Sequence, residues 1–133
     1  MKRVLTVGVY DYFHYGHLKL FEQARKYGDY LIVAVQADEY ILKYKPNAKP
    51  LYSTAQRVEL LSALKIIDEV ILYEDVDRIV KETEFDVFAV GEDQNHSGFV
   101  AAKEYCINRG ITVVTLKRTP NISSTQIKSE LCK

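Results

Sequence analysis

The sequence has few cysteines, no excess of either charge and no long hydrophobic run. Its two cysteines, Cys106 and Cys132, lack the spacing of a metal site and form no disulfide framework, which indicates a reducing compartment. Basic and acidic residues both number 18, so no basic excess points to nucleic acid. No run approaches the ~18 apolar residues of a membrane span. The start, MKRVLTVGVYD, is too short and badly flanked for a secretory signal, so we expect a cytoplasmic protein without nucleic acid or membrane as partner.

The apolar residues that are present fall into short runs separated by amphipathic segments. Hydrophobic residues make up 47% of the 133, enough for one core, and we expect a single domain over 1–133. Five runs have the near-continuous hydrophobicity of strands in a parallel sheet, at 3–9, 29–36, 68–73, 86–90 and 111–116. Helical patterns lie between or after them, at 15–27, 53–65, 75–82, 97–109 and from Ser123 or Ser124 onward. This alternation predicts an α/β fold, a Rossmann-like doubly wound five-stranded parallel sheet with helices on both faces.

Local signals support two helix ends and mark one exceptional connection. Ser53 and Gln56 have the spacing of a capping box, and Gly110 is placed to stop the fourth helix. Residues 37–52 contain two prolines and the lysines Lys43 and Lys45. A connection this long in a compact domain is often functional, and the alternative is a surface excursion with solvated lysines.

Two of the three histidines lie where the first strand meets the first helix. His14 and His17 flank Gly16 in GVYDYFHYGHLKL, residues 8–20. Ligands of doubly wound sheets bind outside the carboxyl ends of the strands, and a helix N-terminus attracts phosphate. Residues three apart share a face of the first helical turn, and an anionic ligand would favour protonated imidazoles. This pattern indicates a phosphate site in which Gly16 lets the ligand approach the backbone.

Other interpretations of the histidines are weaker. A zinc site would need further ligands, and His96 is the one remaining histidine. The GxGxxG pattern of a dinucleotide site is absent, and surface histidines at a helix start remain an alternative.

The H-Y-G-H stretch after the first strand resembles the signature of the HxGH nucleotidyltransferases, and within them the glycerol-3-phosphate cytidylyltransferase family. Further matches are STAQR at 53–57, IIDEVI at 66–71, VGEDQ at 90–94 and RTPNISSTQIK at 118–128. The resemblance therefore covers nearly the whole chain. Gln94 departs from it, because the family has an aromatic residue after its Gly-Asp pair. His96 follows closely and either lines this altered pocket or caps the fourth helix.

The resemblance implies a reaction in which a phosphorylated acceptor attacks the α-phosphorus of a nucleoside triphosphate and pyrophosphate leaves. We expect a cytidylyltransferase that uses CTP and a small phosphorylated alcohol or polyol such as glycerol 3-phosphate, with Mg²⁺ as cofactor and a homodimer as the assembly. One alternative is an adenylyltransferase that uses ATP and a phosphorylated acceptor. Another is a non-catalytic nucleotide sensor.

The resemblance also implies three groups of site residues. The catalytic candidates are His14, His17 and Arg118. The nucleotide-binding candidates are Val9, Tyr10, Asp11, Gly16, Asp93, Ile122, Ser123, Ser124 and Thr125. The acceptor-binding candidates are Lys43, Lys45 and Arg57, and a solvated position on the helix surface is the alternative for Arg57. No residue is assigned as a metal ligand, although Asp11 could help to hold Mg²⁺ or the loop.

Overall fold

Five strands alternate with four helices in the computed structural model, which describes residues 1–10, 13–37 and 52–117. The strands are β1 (Arg3–Gly8), β2 (Tyr30–Gln36), β3 (Glu69–Tyr73), β4 (Val87–Gly91) and β5 (Thr112–Leu116). The helices are α1 (Tyr15–Arg25), α2 (Thr54–Ser62), α3 (Val76–Glu82) and α4 (Ser97–Asn108). The strands form one parallel sheet in the order β3-β2-β1-β4-β5, which confirms the doubly wound fold.

The sheet is covered on both faces because successive strand residues point to opposite sides. Leu5 and Val7 of β1 belong to a buried cluster that includes residues of α3 and α4. Val4 of the same strand belongs to a second cluster, which includes Phe21 of α1 and Leu61 of α2. The apolar runs of β1, β2 and β4 are therefore continuous because both of their faces are buried, whereas the edge strands β3 and β5 each expose two residues.

Three aspartates at the amino edge of the sheet each precede a strand and bind the backbone of its neighbour. The carboxylate of Asp29 accepts a hydrogen bond from Lys2 N–H at 2.6 Å, that of Asp68 from Leu31 N–H at 2.7 Å, and that of Asp86 from Arg3 N–H at 2.8 Å. These contacts satisfy backbone donors at the points where the strand ladders begin. The predicted strand runs at 29, 68 and 86 all start at one of these aspartates, one residue before the strand itself.

The predicted cap at Ser53 and the predicted stop at Gly110 are confirmed, whereas the helices predicted at 15–27 and 53–65 end earlier, at Arg25 and Ser62. Ser53 caps α2, since the Ser53 hydroxyl accepts from Gln56 N–H at 3.2 Å and Gln56 Oε1 accepts from Ser53 N–H at 3.0 Å. Gly110 follows α4 with a φ of 77°, a conformation that favours glycine. The predicted fifth helix and nearly all of the 37–52 connection lie outside the described residues. Among those residues, none of the helices has the length and apolar character needed to cross a membrane.

Candidate functional site

A cleft opens where the sheet reverses its winding direction. From β1 the chain winds outward to β2 and β3, whereas β4 and β5 lie on the other side of β1. The connections that leave β1 and β4 therefore diverge, which leaves a crevice at their carboxyl ends. The cleft there has a volume of about 770 Å³ and is lined by the ends of β1, β2 and β3, the residues after β4 and the first turns of α3 and α4. Its size suits a small organic ligand.

The two histidines lie together at the start of α1. His14 is the N-cap residue, and His17 is in the first turn. Their rings stack with centroids 3.9 Å apart, which confirms that they share a face. His14 N–H donates to Nδ1 of His17 at 3.2 Å. Because Nδ1 accepts this bond, neutral His17 carries its proton on Nε2 and can donate from that atom.

Burial makes His17 an unusually weak base. The ring of His17 stacks on Phe13 at 5.6 Å and meets the edge of Tyr10 at 5.5 Å. This desolvation, together with repulsion from His14, lowers the pKa of His17 to about 3. His17 is therefore a neutral hydrogen-bond donor near pH 7 in the unliganded protein.

The pKa of His17 has a consequence for stability. The unfolded chain takes up a proton at the ordinary histidine pKa near 6.5, whereas folded His17 does so only near pH 3. The stability associated with neutral His17 is therefore complete above pH 6.5 and is lost as the pH falls toward 3. We expect the melting temperature to fall less between pH 7.5 and pH 5 in His17→Asn than in the wild type. Equal pH dependence, measured by circular dichroism melting, would contradict the burial of a neutral ring.

The ring of Tyr10 packs against both His17 and Phe21. Its side chain is buried, its ring lies 5.2 Å from that of Phe21, and burial raises the pKa of its phenol above the usual range. The backbone of Tyr10 has a φ of 56°, a left-handed conformation that is rare outside glycine. A Cβ at Gly8 would lie 2.7 Å from Cζ of Tyr10, so Gly8 leaves the room that this ring needs. Sequence reasoning missed Gly8 and Phe13, although both flank the histidine motif.

Arg57 is buried, and the predicted alternative of a solvated helix residue is wrong. Its side chain has no exposed surface, and its Nη1 donates to the carbonyl oxygens of Val9 at 2.7 Å and Gln36 at 2.8 Å. Its Nη2 donates to Thr54 Oγ1 at 3.3 Å. Arg57 thus joins the chain just after β1 to the end of β2. Whether it also contacts an acceptor stays a prediction.

The remaining described candidates lie along the same edge of the sheet. Val9 and Asp93 line the cleft, and Gly16 is buried in the first turn of α1. His96 does both things that the sequence left open. It lines the cleft, and its Nδ1 accepts from Gly98 N–H at 3.1 Å as the N-cap of α4.

Gln23 is a residue that sequence reasoning missed. Its Nε2 donates to Lys117 O at 2.9 Å, and its Oε1 accepts from Lys117 N–H at 3.1 Å. This pair of bonds fixes α1 to the residue immediately before Arg118. The candidates outside the described residues are Asp11, Lys43, Lys45, Arg118, Ile122, Ser123, Ser124 and Thr125. Within the described ranges, no group of three or more His, Cys, Asp or Glu side chains is arranged to hold a metal ion.

Comparison with known proteins gives consistent matches. The model of a family described as cytidylyltransferase-like matches residues 5–130. The glycerol-3-phosphate cytidylyltransferase of Staphylococcus aureus is 41% identical over 135 residues, covering 98% of this chain and 96% of that protein. The glycerol-3-phosphate cytidylyltransferase of Bacillus subtilis is 37% identical over 134 residues, covering 98% of each. The crystal structure of a lipopolysaccharide core biosynthesis protein from Thermoplasma volcanium is similar with a TM-score of 0.72 and 30% identity, over 90% of this chain and 97% of that one.

Proposed function

This chain belongs to the cytidylyltransferase-like family, and from that membership we propose that it transfers CMP from CTP to glycerol 3-phosphate. It is a nucleotidyltransferase. The observation that carries the proposal is its similarity, over nearly the full length of both chains, to relatives named glycerol-3-phosphate cytidylyltransferase. The products would be CDP-glycerol and pyrophosphate.

The chemistry of this transfer needs charge stabilisation more than proton transfer. A phosphate oxygen of the acceptor forms a bond to the α-phosphorus of CTP, and the bond from that phosphorus to the bridging oxygen breaks. The electron pair leaves with pyrophosphate. Because the acceptor phosphate is already a nucleophile, no general base is required, and positioning with well-aimed donors lowers the barrier.

The histidine pair is suited to supply such donors. His17 Nδ1 is engaged by His14 N–H, so the Nε2–H of His17 is the atom that remains to meet a phosphate oxygen. The N-terminus of α1 adds backbone N–H groups and partial positive charge. In our proposal, the triphosphate lies at this helix start and His14 and His17 stabilise the charge that develops during transfer.

The cleft suits the nucleoside better than the phosphates. Three of its lining residues are Asp75, Asp77 and Asp93, whose carboxylates would repel phosphate oxygens. The hydroxyl groups of the ribose and the exocyclic amine of the base can donate hydrogen bonds to such carboxylates. We therefore assign the nucleoside to the cleft, with Asp93 as a contact.

The remaining assignments rest on the resemblance in the sequence. The segment containing Arg118, Ser123, Ser124 and Thr125, with Ile122, is proposed to hold the β- and γ-phosphates. Lys43, Lys45 and Arg57 are proposed for the acceptor phosphate.

Mg²⁺ and a homodimer are further parts of the proposal. The described residues do not by themselves form a magnesium cage, since they contain no group of three suitable ligands. Mg²⁺ usually keeps several waters and binds substrate phosphates with few protein ligands, so a requirement for the ion would reflect its binding to the triphosphate. Location in the cytoplasm is also proposed, supported by the lack of a disulfide framework.

The identity of the base is open to a direct test. A site that hydrogen-bonds cytosine leaves buried groups unpaired when adenine binds, so discrimination is large. We expect kcat/KM to favour CTP over ATP by at least ~10-fold, measured as pyrophosphate release with Mg²⁺ and glycerol 3-phosphate. Other phosphorylated alcohols and polyols form the acceptor panel. A preference for ATP would assign the chain an adenylyltransferase activity, and tight CTP binding without pyrophosphate release from any pair would indicate a sensor.

A further inference from the structure

Gln94 forms hydrogen bonds both within the turn that follows β4 and to the neighbouring strand β1. Its backbone N–H donates to Gly91 O at 3.1 Å, and its Oε1 accepts from Gly91 N–H at 2.9 Å. Its Nε2 donates to Val7 O on β1 at 2.8 Å. One side chain thus closes the turn 91–94 and fixes it to the neighbouring strand.

These bonds lie where the two strands begin to separate. β1 and β4 pair at Val4 with Val87 and at Leu5 with Phe88. Farther along, toward the carboxyl ends, the Gln94 amide connects Val7 with Gly91. The contact therefore forms part of the floor of the cleft, which Gln94 itself lines.

Asp93 is the residue that this arrangement holds in place. It lies inside the turn, between two residues that are hydrogen-bonded to each other through both main chain and side chain. A Cβ at Gly91 would lie 3.4 Å from Asp93 Oδ1, so the carboxylate is close above the glycine. The Gln94 contacts thus connect the turn that contains Asp93 to β1.

We propose that Gln94 is a positioning residue that sets the place of Asp93 in the cleft and thereby the affinity for the nucleoside triphosphate. The inference rests on the proposed function of the site. Gln94 acts through Asp93, because its amide oxygen and one amide proton are engaged by the backbone. This explains what a glutamine does at a position where the resembling family has an aromatic residue.

The variant Gln94→Met tests this, because methionine has a similar length and shape but makes no comparable hydrogen bonds. We expect the KM for CTP to rise about tenfold, while the KM for glycerol 3-phosphate changes less than ~2-fold. A structural effect alone would not separate the two substrates. Gln94→Glu is a second variant, since it retains an acceptor for Gly91 N–H but loses the donor to Val7 O. Because its carboxylate would face Val7 O and add negative charge to the cleft, its KM for CTP should rise at least as much as that of Gln94→Met.

A double-mutant cycle with Asp93→Ala identifies the route of the effect. If Gln94 acts through Asp93, then Gln94→Met should raise the KM for CTP less than ~2-fold further in the Asp93→Ala background. An undiminished effect in that background would overturn the proposal.

Asp86→Ala is the matched control. Asp86 also connects β1 and β4, through the 2.8 Å bond from Arg3 N–H, but at the opposite end of the strands. It should lower the melting temperature without changing the KM for CTP, and a rise like that of Gln94→Met would also overturn the proposal.

Absence of wild-type turnover with CTP and glycerol 3-phosphate would instead refute the proposed function. In that case the dissociation constants for CTP of the wild type, the two single variants and the double variant, measured by calorimetry, replace the KM values in the cycle. A wild type that binds no CTP would refute both the proposed function and the role of Gln94.

Discussion

His17→Ala should lower turnover with CTP and glycerol 3-phosphate by ~10²–10³ while the chain stays folded. The substitution removes the Nε2–H donor that the geometry of His17 leaves available to a phosphate oxygen. Positioned donors of this kind act where charge develops in the transition state, so the loss should fall on kcat more than on KM.

Two further substitutions at His17 separate the donor from the structural contact. Asparagine provides an oxygen near the position of Nδ1, which can accept His14 N–H, but it has no donor at the position of Nε2. Glutamine places an amide N–H nearer to Nε2. We expect His17→Asn to be as impaired as His17→Ala and His17→Gln to retain more activity.

The control for α1 is Lys19→Ala. Lys19 is on the same helix and pairs with Glu22 at 3.2 Å on its partly exposed side. Its loss should leave turnover within ~2-fold of wild type, since ion pairs of this kind contribute little. A folded His17→Ala protein with near-wild-type pyrophosphate release would remove the histidine pair from the reaction.

Arg57→Met should destabilise the fold more than any of the other substitutions named above. It leaves the carbonyl oxygens of Val9 and Gln36 without the donor that now lies 2.7 and 2.8 Å away. Loss of one member of a buried, charge-assisted network costs about 3 kcal/mol, or roughly 10 °C in melting temperature for a domain of this size. Arg57→Lys should lie in between, because an ammonium group lacks the planar fork that now reaches several partners.

Arg78→Met is the matched comparison, and the free energy of unfolding of both variants is measured by urea and thermal melts. Arg78 is exposed on α3 and pairs with Glu74 at 3.7 Å and Glu82 at 3.0 Å. Its loss should cost less than ~1 kcal/mol. Similar costs for both variants would mean that the contacts of Arg57 contribute no net stability. At temperatures where Arg57→Met is folded, the KM for glycerol 3-phosphate separately tests the proposed acceptor contact.

The elements of the fold could be predicted because their signals are local. The strand runs are largely apolar and three of them start at an aspartate, so the predicted strand bounds differ from the observed ones by one residue at most. The cap formed by Ser53 and Gln56 depends on residues three apart. The histidine pair is likewise a contact within one helical turn, and its stacking follows from the spacing.

The supports of the site could not be predicted, because they connect distant parts of the chain. Arg57 lies four residues before Leu61 on the buried face of α2, so its burial has a local signal, but nothing local indicates that its partner is Val9, 48 residues away. Gln94 reaches Val7 over 87 residues, and Gln23 reaches Lys117 over 94. Such bonds join a side chain to backbone groups, and any residue type offers these groups, so the sequence contains no signal for the partner.

The central position of β1 determines when the site can form during synthesis. β1 leaves the ribosome before the other strands of this sheet, and its partner β2 is the next strand to emerge, after α1, so the half of the sheet made of β1, β2 and β3 can assemble early. The other edge of β1 stays unpaired until β4 emerges, because β4 is its partner on that side. A nascent chain that ends at Tyr73 would already contain both histidines but no floor for the cleft. It would also present an apolar strand edge, the kind of surface through which incomplete chains aggregate and which chaperones recognise.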